Sequence, residues 1–389
     1  MDNDRLRASW ARVTANGAQV PQFFYARLFL ANPELRDLFP VSMAAQSDRL
    51  VAALGRIVSS VDDEAALTPA MEELGRDHRR FAVRPEHYPL VGEALLATLA
   101  HMLGDDWTPE LEEDWAEAYA AAAAAMLQAA QAAEGVTPAW WDAEIVAHER
   151  RGYDVALMRV RPERAYSFRA GQSVQVETPL RPRVWRPYSP ASAPRADGTF
   201  DLHVKAVPGG QVSNALVNGS VAGDRLRLGA PVGSRLTLVD DNGLDFVMMA
   251  GGTGLAPLKG VIEELASTDR PRQVTLFVGA RTAVDLYDLP AVLRLERSLP
   301  WLTVVPVASH DPYFEGRRGT VCEVALRSNG WLHREIYVCG PAAMVSDSVT
   351  RLVAAGVPVE RIHIEDFDAD PYRDVARFSE PVAAQGSSR

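Results

Sequence analysis

Cysteine is almost absent: the 389-residue chain has two, Cys322 and Cys339. Neither sits in a Cys-x-x-Cys pair, which fits a reducing cytoplasm and excludes a cysteine-ligated iron–sulfur cluster. No apolar run reaches the roughly 20 residues that a membrane helix needs. Residues 1–12 mix charged and apolar side chains and lack the apolar centre of a secretory signal. Nor is there an extended basic cluster. Lys and Arg total 40 against 51 Asp and Glu, a net charge of −11, so nucleic-acid binding has little support. The expectation is a cytoplasmic protein with no nucleic acid, no membrane span and no obligatory protein partner. What remains is an ordinary globular balance, 47% hydrophobic and 23% charged, in a chain long enough for two or three domains with their own cores.

The hydrophobic period changes near residue 135. Before it, apolar side chains recur at helical spacing: Leu50, Ala53, Leu54, Ile57 and Val58 on one stripe, Met71, Leu74 and His78 on another. Thr68-Pro69 and Thr108-Pro109 each read as an N-cap followed by proline at the first helical position. The second opens an alanine-dense helix that runs to about Glu134 and stops at Gly135. Six to eight helices and no strand are predicted here. After a short hinge at residues 135–138, runs at 144–148, 154–161, 173–177 and 199–207 are short, often alternating and punctuated by Gly, Pro and Asp, the pattern of a small antiparallel barrel. From Asp245 strand-like runs at 246–250, 274–279, 303–308, 336–339 and 362–365 alternate with helical segments, which predicts a parallel, doubly wound sheet. The expected domains are 1–134, 138–241 and 244–370, with a loose tail at 371–389.

Four glycine- or arginine-bearing motifs follow one another in the last two regions. Arg186-Pro187-Tyr188-Ser189 lies between predicted strands. A guanidinium can neutralise a pyrophosphate, an aromatic can pack on an isoalloxazine and a hydroxyl can bond its edge, although alone the tetrapeptide reads equally as a surface turn. Gly209-Gly210-Gln211-Val212-Ser213 opens a short helical stretch, where glycine lets backbone N–H groups approach a phosphate at a helix start. Gly251-Gly252-Thr253-Gly254 follows a predicted strand and precedes a predicted helix, and Cys339-Gly340-Pro341 ends a later strand of the same sheet. Ligands of open α/β sheets bind at the carboxyl ends of the strands, where both motifs fall.

In this order and spacing the motifs resemble ferredoxin–NADP reductase-like flavoproteins over residues 140–367. The resemblance implies FAD in the barrel, a nicotinamide nucleotide (NADH or NADPH) on the parallel sheet and hydride transfer where they meet. It assigns Arg186, Pro187, Tyr188 and Ser189 to the flavin and Gly210, Gln211, Val212 and Ser213 to its pyrophosphate. It assigns Gly252, Thr253, Gly254, Cys339, Gly340 and Pro341 to the nicotinamide nucleotide, and Phe367 to a ring that covers the flavin. Arg281 after the second strand favours a 2′-phosphate, whereas the acidic Asp285-Leu286-Tyr287-Asp288 resembles NADH-using members; the choice leans to NADH and stays open.

Of the three histidines in the helical region, His78, His87 and His101, only His78 shares a face with apolar residues. By itself it reads as a buried structural histidine. Yet Phe24-Tyr25-Ala26-Arg27-Leu28-Phe29, Asn32-Pro33-Glu34-Leu35, Leu38-Phe39-Pro40, His78, Pro85-Glu86-His87-Tyr88 and Gly92-Glu93-Ala94-Leu95-Leu96 together resemble the globin domain of flavohaemoglobins. The resemblance implies haem b with His78 as proximal iron ligand and Phe39 against the haem. Tyr25, Gln46 and Leu50 would line the distal pocket and Tyr88 would stand on the proximal side. Three departures stand out. The last globin helix has no glutamate across residues 129–133, Glu134 being displaced; Asp77 stands where relatives have lysine; and Ser173 stands where relatives place a flavin-contacting tyrosine. The implied whole is a multidomain chain: an all-α globin, an antiparallel β-barrel FAD domain and an α/β parallel-sheet NAD domain. Its implied activity moves electrons from NAD(P)H through FAD to a haem that binds O2 and oxidises nitric oxide to nitrate. The departures leave room for another acceptor, such as a peroxide or an organic oxidant, for an O2-binding sensor, or for a flavin reductase fused to a degenerate globin.

Overall fold

A computed structural model describes residues 1–328 and 331–366. The expected flavin cover Phe367 and the expected tail lie outside these residues. The described chain divides into two compact units, residues 1–139 and 140–366.

The first unit is helical. Its helices are α1 (Asn3–Thr14), α2 (Gln19–Ala31), α3 (Ala44–Ser59), α4 (Glu64–His78), α5 (His87–Leu103) and α6 (Pro109–Ala133), with short 3-10 turns at Pro33–Leu38, Arg79–Phe81 and Gly104–Asp106. Asp2 caps α1 by accepting from the backbone N–H groups of Asp4 and Arg5, and the Thr108 side chain accepts from Leu111 N–H ahead of Pro109 at the start of α6, as anticipated. Thr68-Pro69 does not open a helix. The ladder begins at Asp63, whose carbonyl accepts from Leu67 N–H at 2.9 Å, and Pro69 lies inside α4. The bond lost at Pro69 would have gone to the carbonyl of exposed Ala65, which solvent satisfies. The core is built from fully buried Leu6, Val13, Leu28 and Leu99 around Trp115, each large side chain contributing about 1.5–3 kcal/mol. The Trp115 indole N–H donates to Ser9 Oγ at 3.1 Å. α4 comes closest to α6 at Gly75, where a Cβ would lie 2.2 Å from the Met126 carbonyl oxygen. Only glycine permits that approach, and it sets the height of His78 three residues further on.

The second unit holds two sheets. The antiparallel one comprises β1 (Trp141–Arg151), β2 (Val155–Pro162), β3 (Ser173–Glu177), β4 (Arg186–Tyr188), β5 (Phe200–Lys205) and β6 (Arg225–Val232), with α7 (Gln211–Asn218) between the last two. Their order is β4-β3-β6-β1-β2-β5, and a bridge between Pro190 and Leu202 brings the two edges together as a barrel. Arg186–Tyr188 is therefore not a turn. It is an edge strand paired with β3 through Val174 and Tyr188, a place where Pro187 forfeits no ladder bond that the barrel needs. β6, with its Arg-Leu-Arg-Leu alternation, is a strand beyond those predicted.

The parallel sheet comprises β7 (Asp245–Gly251), α8 (Leu255–Leu265), β8 (Val274–Ala280), α9 (Leu289–Ser298), β9 (Leu302–Ala308), the two-residue β10 (Arg317–Arg318), α10 (Val321–Leu326), β11 (Arg334–Gly340), α11 (Ala342–Ala354) and β12 (Ile362–Asp366). The strand order β10-β9-β8-β7-β11-β12 runs one way from β7 and then the other, so the topological switch lies between β7 and β11. β7, buried at six of its seven positions, is covered on both faces, which is why its residues are almost all apolar. Among the described residues no helix is long and apolar enough to cross a membrane.

Candidate active site

In the first unit the expected haem-pocket side chains come from α2 (Tyr25), α3 (Gln46 and Leu50), α4 (His78) and α5 (Tyr88), with Phe39 at the end of the turn after α2. Tyr25 on α2 is buried and ringed by aromatics. Its ring lies 5.0 Å from Phe24, 5.7 Å from Phe29 and 5.5 Å from Phe39. The Tyr25 hydroxyl donates to the backbone carbonyl of Gln46 at 3.3 Å. Burial pushes the Tyr25 pKa up, against the smaller opposing effects of the Gln46 side chain and of Arg49, so the group stays a donor. Phe39 and Leu50 pack on the same core as Tyr25. His78 ends α4. Its Nδ1 lies 2.8 Å from the Leu74 carbonyl oxygen, a bond from one helical turn back that requires the proton on Nδ1 and leaves Nε2 with the lone pair. Burial lowers the His78 pKa, opposed by that backbone bond. Tyr88 on α5 packs with Met71, Ala122, Ala123 and Met126, and its carbonyl accepts from the Tyr119 hydroxyl at 2.6 Å. Of the sequence departures, Asp77 pairs with buried Arg80 at 3.1 Å, and Glu134 is the C-cap of α6. Ala122, Ala123 and Met126 of α6 are buried and share a core cluster with Met71 and Leu74 of α4.

In the second unit Tyr188 packs on the barrel core, and burial raises its pKa against the Arg186 charge. Ser189, directly after β4, donates from Oγ to Glu365 Oε2 on β12 at 3.1 Å. Glu365 is absent from the sequence motifs, since its partner lies 176 residues away. Gly210 precedes α7 and is held in a tight turn. A Cβ there would meet Ser213 Oγ at 2.5 Å and Val207 at 2.6 Å, while Asn214 donates to the carbonyls of Val207 and Gly210, both at 2.7 Å. Gln211 and Val212 begin the helix, and Val212 faces the core. Ser173 is buried at the start of β3.

The two nucleotide motifs touch. Gly252, in a left-handed conformation with φ +54°, starts the turn after β7, and a Cβ on Gly254 would lie 2.1 Å from the Cys339 carbonyl oxygen. Thr253 sits between them. Cys339 pairs in register with Ala250, so Gly340 and Pro341 lie beside the turn at the switch between β7 and β11. This is where an open parallel sheet binds nucleotides. The acidic stretch after β8 behaves otherwise than its composition suggests. Asp285 closes a capping box with Thr282, Leu286 and Asp288 are buried, and Tyr287 packs on the core. Asp285 is thus held at the surface by Thr282, and Asp288 is buried.

Three protein families match in succession: globin over residues 22–126, the oxidoreductase FAD-binding domain over 142–235 and the oxidoreductase NAD-binding domain over 248–350. The chain is 29% identical to the flavohaemoprotein of Bordetella parapertussis over 391 residues, covering 93% of this chain and 96% of that protein. The chain is thus a globin followed by FAD- and NAD-binding oxidoreductase domains, the succession found in the flavohaemoproteins it resembles. Its reductase portion is also 35% identical to the xylene/toluene monooxygenase electron transfer component of Pseudomonas putida over 240 residues, 60% of this chain and 67% of that protein. The fold matches the structure of flavohaemoglobin from Malassezia yamatoensis with a TM-score of 0.74, at 21% identity, over 94% of this chain and 98% of that one.

The cofactor set is accordingly haem, FAD and a nicotinamide nucleotide, and the residues present fit it. The bond from Nδ1 to the Leu74 carbonyl leaves His78 Nε2 with a lone pair that could hold iron. The turns at Gly210 and Gly254 are packed too tightly for a Cβ, while Gly252, at positive φ, has open space beside it, an arrangement that lets a phosphate approach the backbone. The protein is a globin joined to a reductase, an NAD(P)H-dependent electron-transfer oxidoreductase.

Proposed function

We propose that the protein is a nitric oxide dioxygenase. The overall reaction is balanced when one NAD(P)H, two NO and two O2 give two nitrate ions, NAD(P)+ and one proton, each NO and O2 taking up one electron. FAD supplies the conversion from two-electron to one-electron transfer, and haem supplies a site for O2.

The chain's own residues have separable tasks in this reading. The turn from Gly252 to Gly254, with Cys339, Gly340 and Pro341 beside it, receives the nucleotide pyrophosphate on backbone N–H groups. Arg186 neutralises the flavin pyrophosphate together with the turn from Gly210 to Ser213, Pro187 holds the edge strand extended, Tyr188 packs on the isoalloxazine, and Ser189 presents its hydroxyl to the ring edge. His78 binds iron through Nε2. Tyr25 and Gln46 donate to a gas ligand on the distal side, and Phe39 and Leu50 restrict the room around it. The single observation that carries the reading is the Tyr25 hydroxyl. It is buried, kept protonated and set beside Gln46, with a long bond of 3.3 Å to that residue's backbone carbonyl, so it can turn to a ligand at little expense.

The acceptor of His78 Nδ1 is a neutral carbonyl rather than a carboxylate, which supports O2 binding over cleavage of a peroxide, where a stronger electron push is needed. It also supports a second reading, an O2-binding protein whose reductase only keeps the iron reduced. The test is to add NADH anaerobically, then O2 and a bolus of NO, and to measure nitrate. The proposed function predicts catalytic nitrate at one NADH per two nitrates. Ligand binding with no more than one nitrate per chain contradicts it and favours the second reading.

A further inference from the structure

Within the second unit the barrel and the parallel sheet meet along a seam, and two sets of polar groups fasten it. The first lies next to the flavin-side strand. Lys259 on α8 donates to the Ala191 carbonyl at 3.0 Å and to Glu263 at 2.6 Å, and Glu263 accepts from Ala193 N–H at 3.2 Å. Gly260 lets α8 approach this segment: a Cβ there would be 3.1 Å from the Pro190 carbonyl oxygen. α8 is the helix that follows the nucleotide turn, and residues 190–193 follow Ser189. The second fastening is deeper. His203 on β5 of the barrel places Nδ1 2.9 Å from the Tyr287 hydroxyl on the loop after β8, with the rings edge to face at 5.5 Å. Its Nε2 lies 4.0 Å from the buried Asp288 carboxylate.

His203 is neutral, because burial and the charge of Lys259 disfavour its cation. Its two nitrogens therefore differ: the Tyr287 hydroxyl donates to Nδ1, and Nε2–H faces Asp288. Tyr287 packs on the core that contains Cys339 and Ala250 and lies within electrostatic reach of Cys339. It thus stands between a barrel histidine and the Cys339 end of the nucleotide site. For filling space, apolar side chains at both positions together would serve about as well, since a buried polar pair gains little net stability over an apolar one. What the pair adds is a fixed distance across the seam.

We propose that His203 and Tyr287 are positioning residues for hydride transfer. By holding Tyr287 from the barrel side, His203 sets where the Cys339 wall stands relative to the flavin-side strand β4. This rests on the reading that the barrel holds FAD and the parallel sheet the nicotinamide nucleotide. The hydride leaves the dihydronicotinamide ring with both electrons of its C–H bond and adds to the flavin, and neither residue gives or takes a proton. Their effect is on approach geometry, to which such transfers are steeply sensitive.

The test is anaerobic rapid mixing of the full-length holoprotein with NADH, following the bleaching of the flavin, for wild type, His203→Phe, His203→Asn and Tyr287→Phe. The limiting rate at saturating NADH is expected to fall about tenfold in His203→Phe and Tyr287→Phe, with FAD content and half-saturating NADH within about twofold of wild type. His203→Asn keeps an acceptor for the Tyr287 hydroxyl and is expected to recover to within about threefold. Should His203→Phe not fold, Tyr287→Phe, which removes one oxygen atom, carries the test. Wild-type limiting rates in the variants, or changes confined to FAD content or half-saturation, overturn the proposal. A wild-type flavin that neither NADH nor NADPH bleaches overturns instead the reading on which it rests.

Discussion

At the residue scale, His78 is defined by which of its nitrogens is occupied. Nδ1 is bound to the Leu74 carbonyl, so in the proposed reading Nε2 alone is left to bind iron. His78→Ala is expected to abolish the Soret absorbance of the purified protein while the flavin bands remain at wild-type intensity, which one visible spectrum checks. Gly254→Ala presses a methyl group to within 2.1 Å of the Cys339 carbonyl oxygen. The turn must shift, at about 1–3 kcal/mol, and the nucleotide site opens with it. A rise of tenfold or more in half-saturating NADH, with FAD retained, is the expected result. His203 makes a pH-dependent contribution. Burial has pushed its pKa from 6.5 to about 3, so between those values the unfolded chain binds a proton that the native one does not. Its contribution to stability is complete above pH 6.5 and is lost as pH falls toward 3, by at most about 1.4 kcal/mol per pH unit. Chemical denaturation at pH 7 and pH 5 checks this: His203→Gln is expected to lose less stability than wild type over that interval.

At the element scale, the approach of α4 to α6 decides where His78 stands. Gly75→Ala would put a methyl group 2.2 Å from the Met126 carbonyl oxygen, and α4 has to move. Thermal unfolding should report about 1–3 kcal/mol of lost stability, and haem retention on gel filtration should fall, since His78 travels with the helix. The glycine turns were legible in the sequence because their signal is local: a strand, a turn that needs glycine and a helix start lie within about ten residues. The helical first region and the alternation of strands and helices after Asp245 were legible for the same reason. β4 was not, because three residues with a proline in the middle carry no strand period, and only the pairing with β3 makes them a strand. Thr68-Pro69 has the local form of a helix start, yet the tertiary packing of α4 against α6 extends the helix back to Glu64. Glu365, Lys259 and the His203–Tyr287 pair had no local signal, because each acts on a partner far away in the chain. The placing of the Asp285 to Asp288 acids, one in a capping box and one buried, was not legible because composition does not show packing.

At the scale of the whole molecule, each unit has a core of its own, so the reductase and the globin should be separable. A chain reduced to residues 140–389 is expected to keep FAD and to pass electrons from NADH to ferricyanide, while showing no Soret band. The central claim is that electrons admitted in the second unit reach the haem of the first. It is tested most directly by adding NADH to the ferric, full-length protein without oxygen and recording the visible spectrum with time. The account predicts bleaching of the flavin followed by conversion of the ferric Soret band to the ferrous one within the same solution. A flavin that bleaches fully beside a haem that stays ferric would contradict it.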